Sequence, residues 1–239
     1  MARRIISLLK QKKIWGLIFI AAAVFIFTFI FRIQPVVRYQ KPAFLTFKEL
    51  KALSRNPKPG WFLGSKLERF WKTPVISNEA YYGGAKPHHP SDPKLGHYLR
   101  LVSWNIEKSY EMENAIAAFS SRHKFESLID SVKAPEGSSE LQNMLRQREK
   151  LTNANVIVLQ EMDIGVKRSN YIDAARELAK ALHMNYAYGA EQLEIDPVYL
   201  GLENIKYEDG TVDQEATDYF AADPGRYKGV FGCAVLSRY

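Results

Sequence analysis

NANVIVLQEMD, running from Asn153 to Asp163, decides how this chain is read. Four successive apolar residues, Val156 to Leu159, predict a strand buried on both faces. The run then stops at Gln160, Glu161 and Asp163. A carboxylate at the end of a buried strand calls for something to hold, and the flanking sequence says what stands beside it.

Upstream, HYLRLVSWNIE (His97–Glu107) predicts another strand, with Leu99, Leu101 and Ser103 alternating with Arg100, Val102 and Trp104 and the run breaking at Asn105. Two helical segments follow, Met112–Val132 and Ser138–Thr152. The second has a capping Ser138 with Glu140 in the first turn, and turns Leu141, Leu145 and Leu151 inward. Strand, helices, strand is the order of a parallel crossover, in which both strands end at the same sheet edge. Asn105 and Glu161 then stand near each other at the carboxyl ends, where α/β sheets collect ligands. An amide oxygen and a carboxylate oxygen are hard donors that suit Mg²⁺ or Mn²⁺. Taken singly, Asn105 reads as a turn former and Glu161 as a solvated strand end.

Downstream, SNYIDAARELAKALHMN (Ser169–Asn185) predicts an amphipathic helix capped by Ser169, with Lys180 and His183 matching the negative end of its dipole. NYAYGAEQ (Asn185–Gln192) and GVFGCAVLSRY (Gly229–Tyr239) predict two more strands. Arg168 reads as a surface residue, and Cys233, the one cysteine, as a small buried residue. A single cysteine excludes an intramolecular disulfide and a multi-cysteine metal site.

The first third of the chain has a different character. Residues 1–75 carry 15 basic residues against Glu49 and Glu68, while the remainder carries 18 against 24 acids. The net charge of +7 therefore belongs to the N-terminal part and does not mark the main domain as a nucleic-acid binder. Ile14–Phe31 is an uncharged apolar run of 18 residues, about 27 Å long as a helix, which predicts a transmembrane signal anchor. Phe27, Phe29, Ile30 and Phe31 stand where a cleaved signal peptide would want small residues. Flanking bases favour a cytoplasmic N-terminus with the main domain on the other side of the bilayer. The expected organisation is a basic flank (1–13), the anchor (14–31), a basic aromatic juxtamembrane segment (32–97) and the folded domain (98–239). Within the third segment, Phe47–Pro57 and Gly64–Pro74 predict short helices, and their aromatics suit either a membrane interface or packing on the domain. His88 and His89, adjacent and between prolines, read as loop.

LRLVSWNIEK, ANVIVLQEMD, the helix after it, MNYAYG and GVFGCAVLSRY together resemble the endonuclease/exonuclease/phosphatase (DNase I-like) superfamily over residues 98–239. The resemblance implies an α+β fold, a four-layer αββα sandwich. It also implies hydrolysis of a phosphoester by metal-activated water, with Glu161 as metal ligand and Asn105 beside metal and phosphate as ligand and catalytic residue. The substrate would be a nucleic acid, a phospholipid or an inositol phosphate. The family's later motifs, an Asp-x-Asn pair and an Asp-His pair, have no counterpart here. The chain thus resembles the N-terminal portion of such a domain, truncated after about half of it and inactive alone. The expected partners are the membrane bilayer, a phosphoester substrate and a complementing C-terminal half. The alternative is a non-catalytic membrane-anchored remnant or interaction protein.

Overall fold

The computed structural model describes residues 37–85 and 89–239. Strand β1 (Tyr39–Gln40) leads to helices α1 (Phe47–Arg55) and α2 (Trp61–Lys72), each of which stops at or just before a residue preceding proline or at the proline-bound segment itself. Thr46 caps α1, accepting from Glu49 N–H while the Glu49 carboxylate accepts from Thr46 N–H at 2.7 Å. Lys66 of α2 reaches the same carboxylate at 2.6 Å, tying the two helices together. Their apolar sides, including Leu50, Leu53 and Phe70, are buried, so this segment packs as part of the domain. Trp61 and Phe62 stay exposed.

After β2 (Val75–Ser77) and the short helix α3 (Glu79–Tyr82) come a two-residue ladder of β3 (Ser91–Asp92) and β4 (Gly96–His97), and then β5 (Leu101–Asn105). Helices α4 (Met112–Ser120), α5 (Arg122–Ser127) and α6 (Ser139–Thr152) form the crossover. Ser138 caps α6 as its sequence predicts, but none of the helix's own residues is fully buried. The chain continues through β6 (Val156–Ile164), α7 (Ala174–Leu182), β7 (Asn185–Leu193), α8 (Gln214–Phe220) and β8 (Val230–Ser237). The cap of α7 is Asp173, whose carboxylate accepts from Arg176 N–H at 2.9 Å. Ser169, expected in that role, lies in a 3₁₀ turn and donates to Val166 O.

Six strands make one mixed sheet in the order β1-β2-β7-β8-β6-β5. β5 and β6 are parallel and every other pair is antiparallel. Alternation then divides the side chains. Ile157 and Leu159 of β6, Ala234 and Leu236 of β8, and Tyr186 and Tyr188 of β7 enter a single core with Phe119 of α4 and Ala175 and Leu178 of α7. Their neighbours point to the opposite face, where Leu101 is 65 % and Val235 41 % exposed. Val156 and Val158 share that face and are half-buried, so the strand expected to be covered on both sides is covered on one.

Two expectations are corrected here. The four-layer αββα sandwich needs two packed sheets, and the described residues form one six-stranded sheet with helices packed on its core side, plus the β3–β4 ladder. The N-terminal transmembrane helix, and with it the single-pass membrane localisation, is also set aside. No helix among the described residues is long and apolar enough to cross a membrane, and Ile14–Phe31, on which that expectation rested, lies outside them.

Candidate functional site

Asn105 and Glu161 meet. Residues 101–105 of β5 lie in register with 156–160 of β6, so Asn105 is opposite Gln160 at the carboxyl ends of two adjacent parallel strands. Asn105 Nδ2 donates to Glu161 Oε1 at 2.8 Å. Regular alternation would send Glu161 into the core. Instead β6 bulges: Leu159 pairs with Ala234, and the next pairing joins Met162 to Gly232. Gln160 and Glu161 together therefore face the single residue Cys233. The extra residue has φ +59. This left-handed conformation costs a non-glycine residue about 1–2 kcal/mol. It brings the Glu161 carboxylate to Asn105 and returns Met162 to the core, fully buried.

The turn after β5 supports this bulge. Glu107, Lys108 and Ser109 have φ of 48, 55 and 57, three successive left-handed residues. Asn105 Oδ1 accepts from Glu107 N–H at 2.8 Å, which opens the turn. Ser109, fully buried, closes it: its hydroxyl accepts from Asp163 N–H at 3.1 Å and donates to Glu161 O at 3.4 Å. One side chain thus grips the backbone on both sides of Met162. Ser109→Ala is expected to leave the Asp163 N–H buried without its acceptor and to lower stability by about 1–3 kcal/mol. Urea denaturation checks this, and a change below a few tenths would mean that the hydroxyl does not hold the bulge.

Behind the bulge sits a buried charge group. Arg168 Nη2 donates to Asp163 Oδ1 at 2.7 Å, Nη1 to Glu194 Oε1, and Nε to Lys108 O at 3.3 Å. The Asp163 side chain is wholly buried, and those of Arg168 and Glu194 are 13 % and 16 % exposed. One guanidinium between two carboxylates leaves Asp163 Oδ2 and Glu194 Oε2 buried without hydrogen-bond partners among the described residues. Burial pushes the Asp163 carboxyl up to about 7 against the pull of Arg168, with the Glu194 charge adding to the rise. Arg168 is therefore internal and not the surface residue its type suggests. Asp163 two residues after Glu161 on the same strand was the sequence signal available. Nothing in the spacing pointed to Ser109 or Glu194.

Cys233 is half-buried on the open face, not in the core. Burial, followed by the Glu191 carboxylate that its thiol faces, pushes it up to about 11, which favours the neutral thiol over the reactive thiolate. His183 ends α7 in a left-handed conformation with φ 51, at the dipole's negative end as expected. A cleft of about 670 Å³ opens beside Asn105, with Glu107, Glu111 and Asn114 at its rim.

Among the described residues no group of three or more His, Cys, Asp or Glu side chains converges as a metal cage. The donor set at the bulge is one carboxylate, partly open to solvent and held by an amide. That fits a hard cation which keeps most of its waters, as Mg²⁺ does. Both polar atoms of the Asn105 amide are engaged, so in this arrangement it orients Glu161. Comparison of the chain with protein-family models, with curated proteins and with solved structures finds no match.

Proposed function

We propose that this chain carries the metal-holding part of a phosphoester hydrolase of the DNase I-like endonuclease/exonuclease/phosphatase type. The observation that carries the reading is the 2.8 Å hydrogen bond between Asn105 and Glu161 across two parallel strand ends, made possible by the left-handed bulge at Glu161. Glu161 would hold Mg²⁺ or Mn²⁺, Asn105 would fix the carboxylate's orientation, and Ser109 would clamp the bulge. When bound, such a cation supplies charge for a phosphoryl oxygen and acidifies a water. The described residues add no histidine or second carboxylate in hydrogen bond to Glu161, so this arrangement would hold a cation and leave proton transfer to other groups.

Titrating the full chain with Mn²⁺ tests the reading, by calorimetry and by loss of the free-ion electron paramagnetic resonance signal. Glu161→Gln, nearly isosteric, is expected to abolish binding. Asn105→Ala is expected to weaken it about 10–100-fold, the usual effect of removing a group that orients a ligand. Mn²⁺ binding unchanged in Glu161→Gln would overturn the proposal.

One observation favours a second reading, a non-catalytic interaction protein. The outer sheet face exposes Leu101 and Val235 beside half-buried Val156 and Val158, an apolar strip of the kind that proteins normally cover. On this reading a complementing half-domain would be seated there.

A further inference from the structure

The segment between β7 and β8 builds a second feature near the bulge. Its residues fold back over the Val166–Arg168 turn and enclose a cleft of about 460 Å³, within the range of small-ligand sites. Tyr227, 1 % exposed, forms the floor and donates its hydroxyl to Glu194 O at 2.9 Å. Tyr199 and Phe220 stack at 6.0 Å with an interplanar angle of 17°, making one flat wall. Tyr219, 71 % exposed, and Tyr110, 59 % exposed, stand at the mouth. In water such rings are commonly turned inward, and here five of them surround open space.

The polar groups of this cleft narrow the ligand. Lys167 reaches it with its ammonium 5.7 Å from the Tyr219 ring centroid. That ammonium donates to Tyr219 O and to Ala221 O, and makes no ion pair among the described residues. The edges of Arg168 are taken by Lys108 O, Asp163 and Glu194, and one face lies over the Phe231 ring at 6.0 Å from its centroid, so Arg168 has only its other face to give the cleft it lines. Flat aromatic walls, a guanidinium face and an ammonium without a carboxylate form a stacking platform for a planar ring that carries a nearby anion. The platform is coupled to the bulge. Tyr110 directly follows the turn through which Ser109 holds Glu161, and Arg168 is bonded to the same turn at Lys108.

From this geometry we propose that the aromatic cleft binds an unpaired nucleobase, making the phosphoester presented to Glu161 one of a single-stranded nucleic acid. The location relative to Glu161 rests on the hydrolase reading above; the binding of a base does not. Lysine supplies the contact to the backbone phosphate and the aromatic walls supply affinity for the base.

The test uses the full chain in EDTA and the fluorescence anisotropy of a fluorescein-labelled thymidine decamer. Tyr219→Ala and Tyr199→Ala are each expected to weaken binding ~5–10-fold, and an abasic decamer of equal charge is expected to bind ~10-fold more weakly, the scale of one lost stacking contact. Tyr219 is exposed, so its variant reports on the cleft without disturbing the core. Equal binding of abasic and thymidine strands would overturn the proposal, as would tyrosine variants that bind like the parent. Binding of phosphatidylglycerol vesicles that depends on these tyrosines, with no binding of the decamer, would assign the cleft to lipid and overturn it as well. Because metal is absent, the outcome is separate from that of the Mn²⁺ titration: either reading can fail while the other stands.

Discussion

Arg168→Ala is expected to destabilise the protein by about 3–5 kcal/mol at pH 8, the cost of leaving buried carboxylates uncompensated. Among the described residues the guanidinium is the one cation bonded to Asp163 and Glu194, and each of these already has an oxygen without a partner there. The penalty is expected to shrink at pH 5, and the sign follows from Asp163. Its folded-state value, about 7, lies above that of an unfolded aspartate, so between about pH 4 and 7 the folded chain binds more protons than the unfolded one. Stability from this group is therefore highest in acid and declines as pH rises through that window. Removing Arg168 makes the charged form costlier still, which carries the decline on to higher pH. Urea denaturation of both proteins at pH 5 and pH 8 measures the two differences. A larger loss at pH 5 than at pH 8 would contradict the assignment of the proton to this group.

Gly232→Ala is the second large effect, and its cause is space. A Cβ on Gly232 would lie 2.1 Å from Gly189 O and 3.1 Å from Ala190 Cα, both backbone atoms that cannot rotate away. Gly232 pairs with Met162 on one side and with Ala190 on the other, and both neighbouring strands shift register there. Alanine must push β7 from β8 at the place where β6 and β7 both bulge against β8, at a cost of about 3 kcal/mol or more. The same displacement would reach Glu161, so Mn²⁺ binding should fall with stability. Gly189→Ala is the control. Its Cβ would meet nothing within 4 Å, and a change within about 0.5 kcal/mol is expected. Thermal melting of the two variants separates steric cost from the general effect of replacing a strand glycine. Equal melting temperatures would show that the close approach is not rigid.

Much of this could be read from local pattern. The alternation in LRLVSWN, the capped helix from Ser138 and the strand ending at Glu161 are set within a few residues, and the crossover rule brought Asn105 to Glu161 without any long-range information. The bulge was not legible. VIVLQEMD is equally compatible with unbroken alternation, and only pairing with the distant strand β8, where Gln160 and Glu161 face Cys233, absorbs the extra residue. For the same reason Arg168 and Ser109 looked ordinary: their partners at Glu194, Asp163 and Glu161 come from other elements, 26 to 54 residues away in all but one case. The αββα expectation came from the resemblance and not from the strands themselves, and the reading of Val156 to Leu159 as covered on both faces failed because apolar content along a strand does not say which face is covered. Leu101 and Val235 are apolar and yet exposed. Gly232 carried a readable signal, a glycine inside a strand pattern, which usually marks close backbone approach.

The parallel pairing of β5 with β6 has a further consequence, for how the chain selects its own alignment. β5 is five residues long and stands at the sheet's edge, so its hydrogen bonds alone discriminate weakly between neighbouring alignments. A slip by one position would turn Asn105 toward the helices and expose Trp104 in its place. The 2.8 Å amide–carboxylate bond exists only in the native alignment, and a cation on Glu161 would bind that alignment alone. Metal would then act as a proofreader of strand position, rewarding the one pairing out of several that the backbone by itself would tolerate.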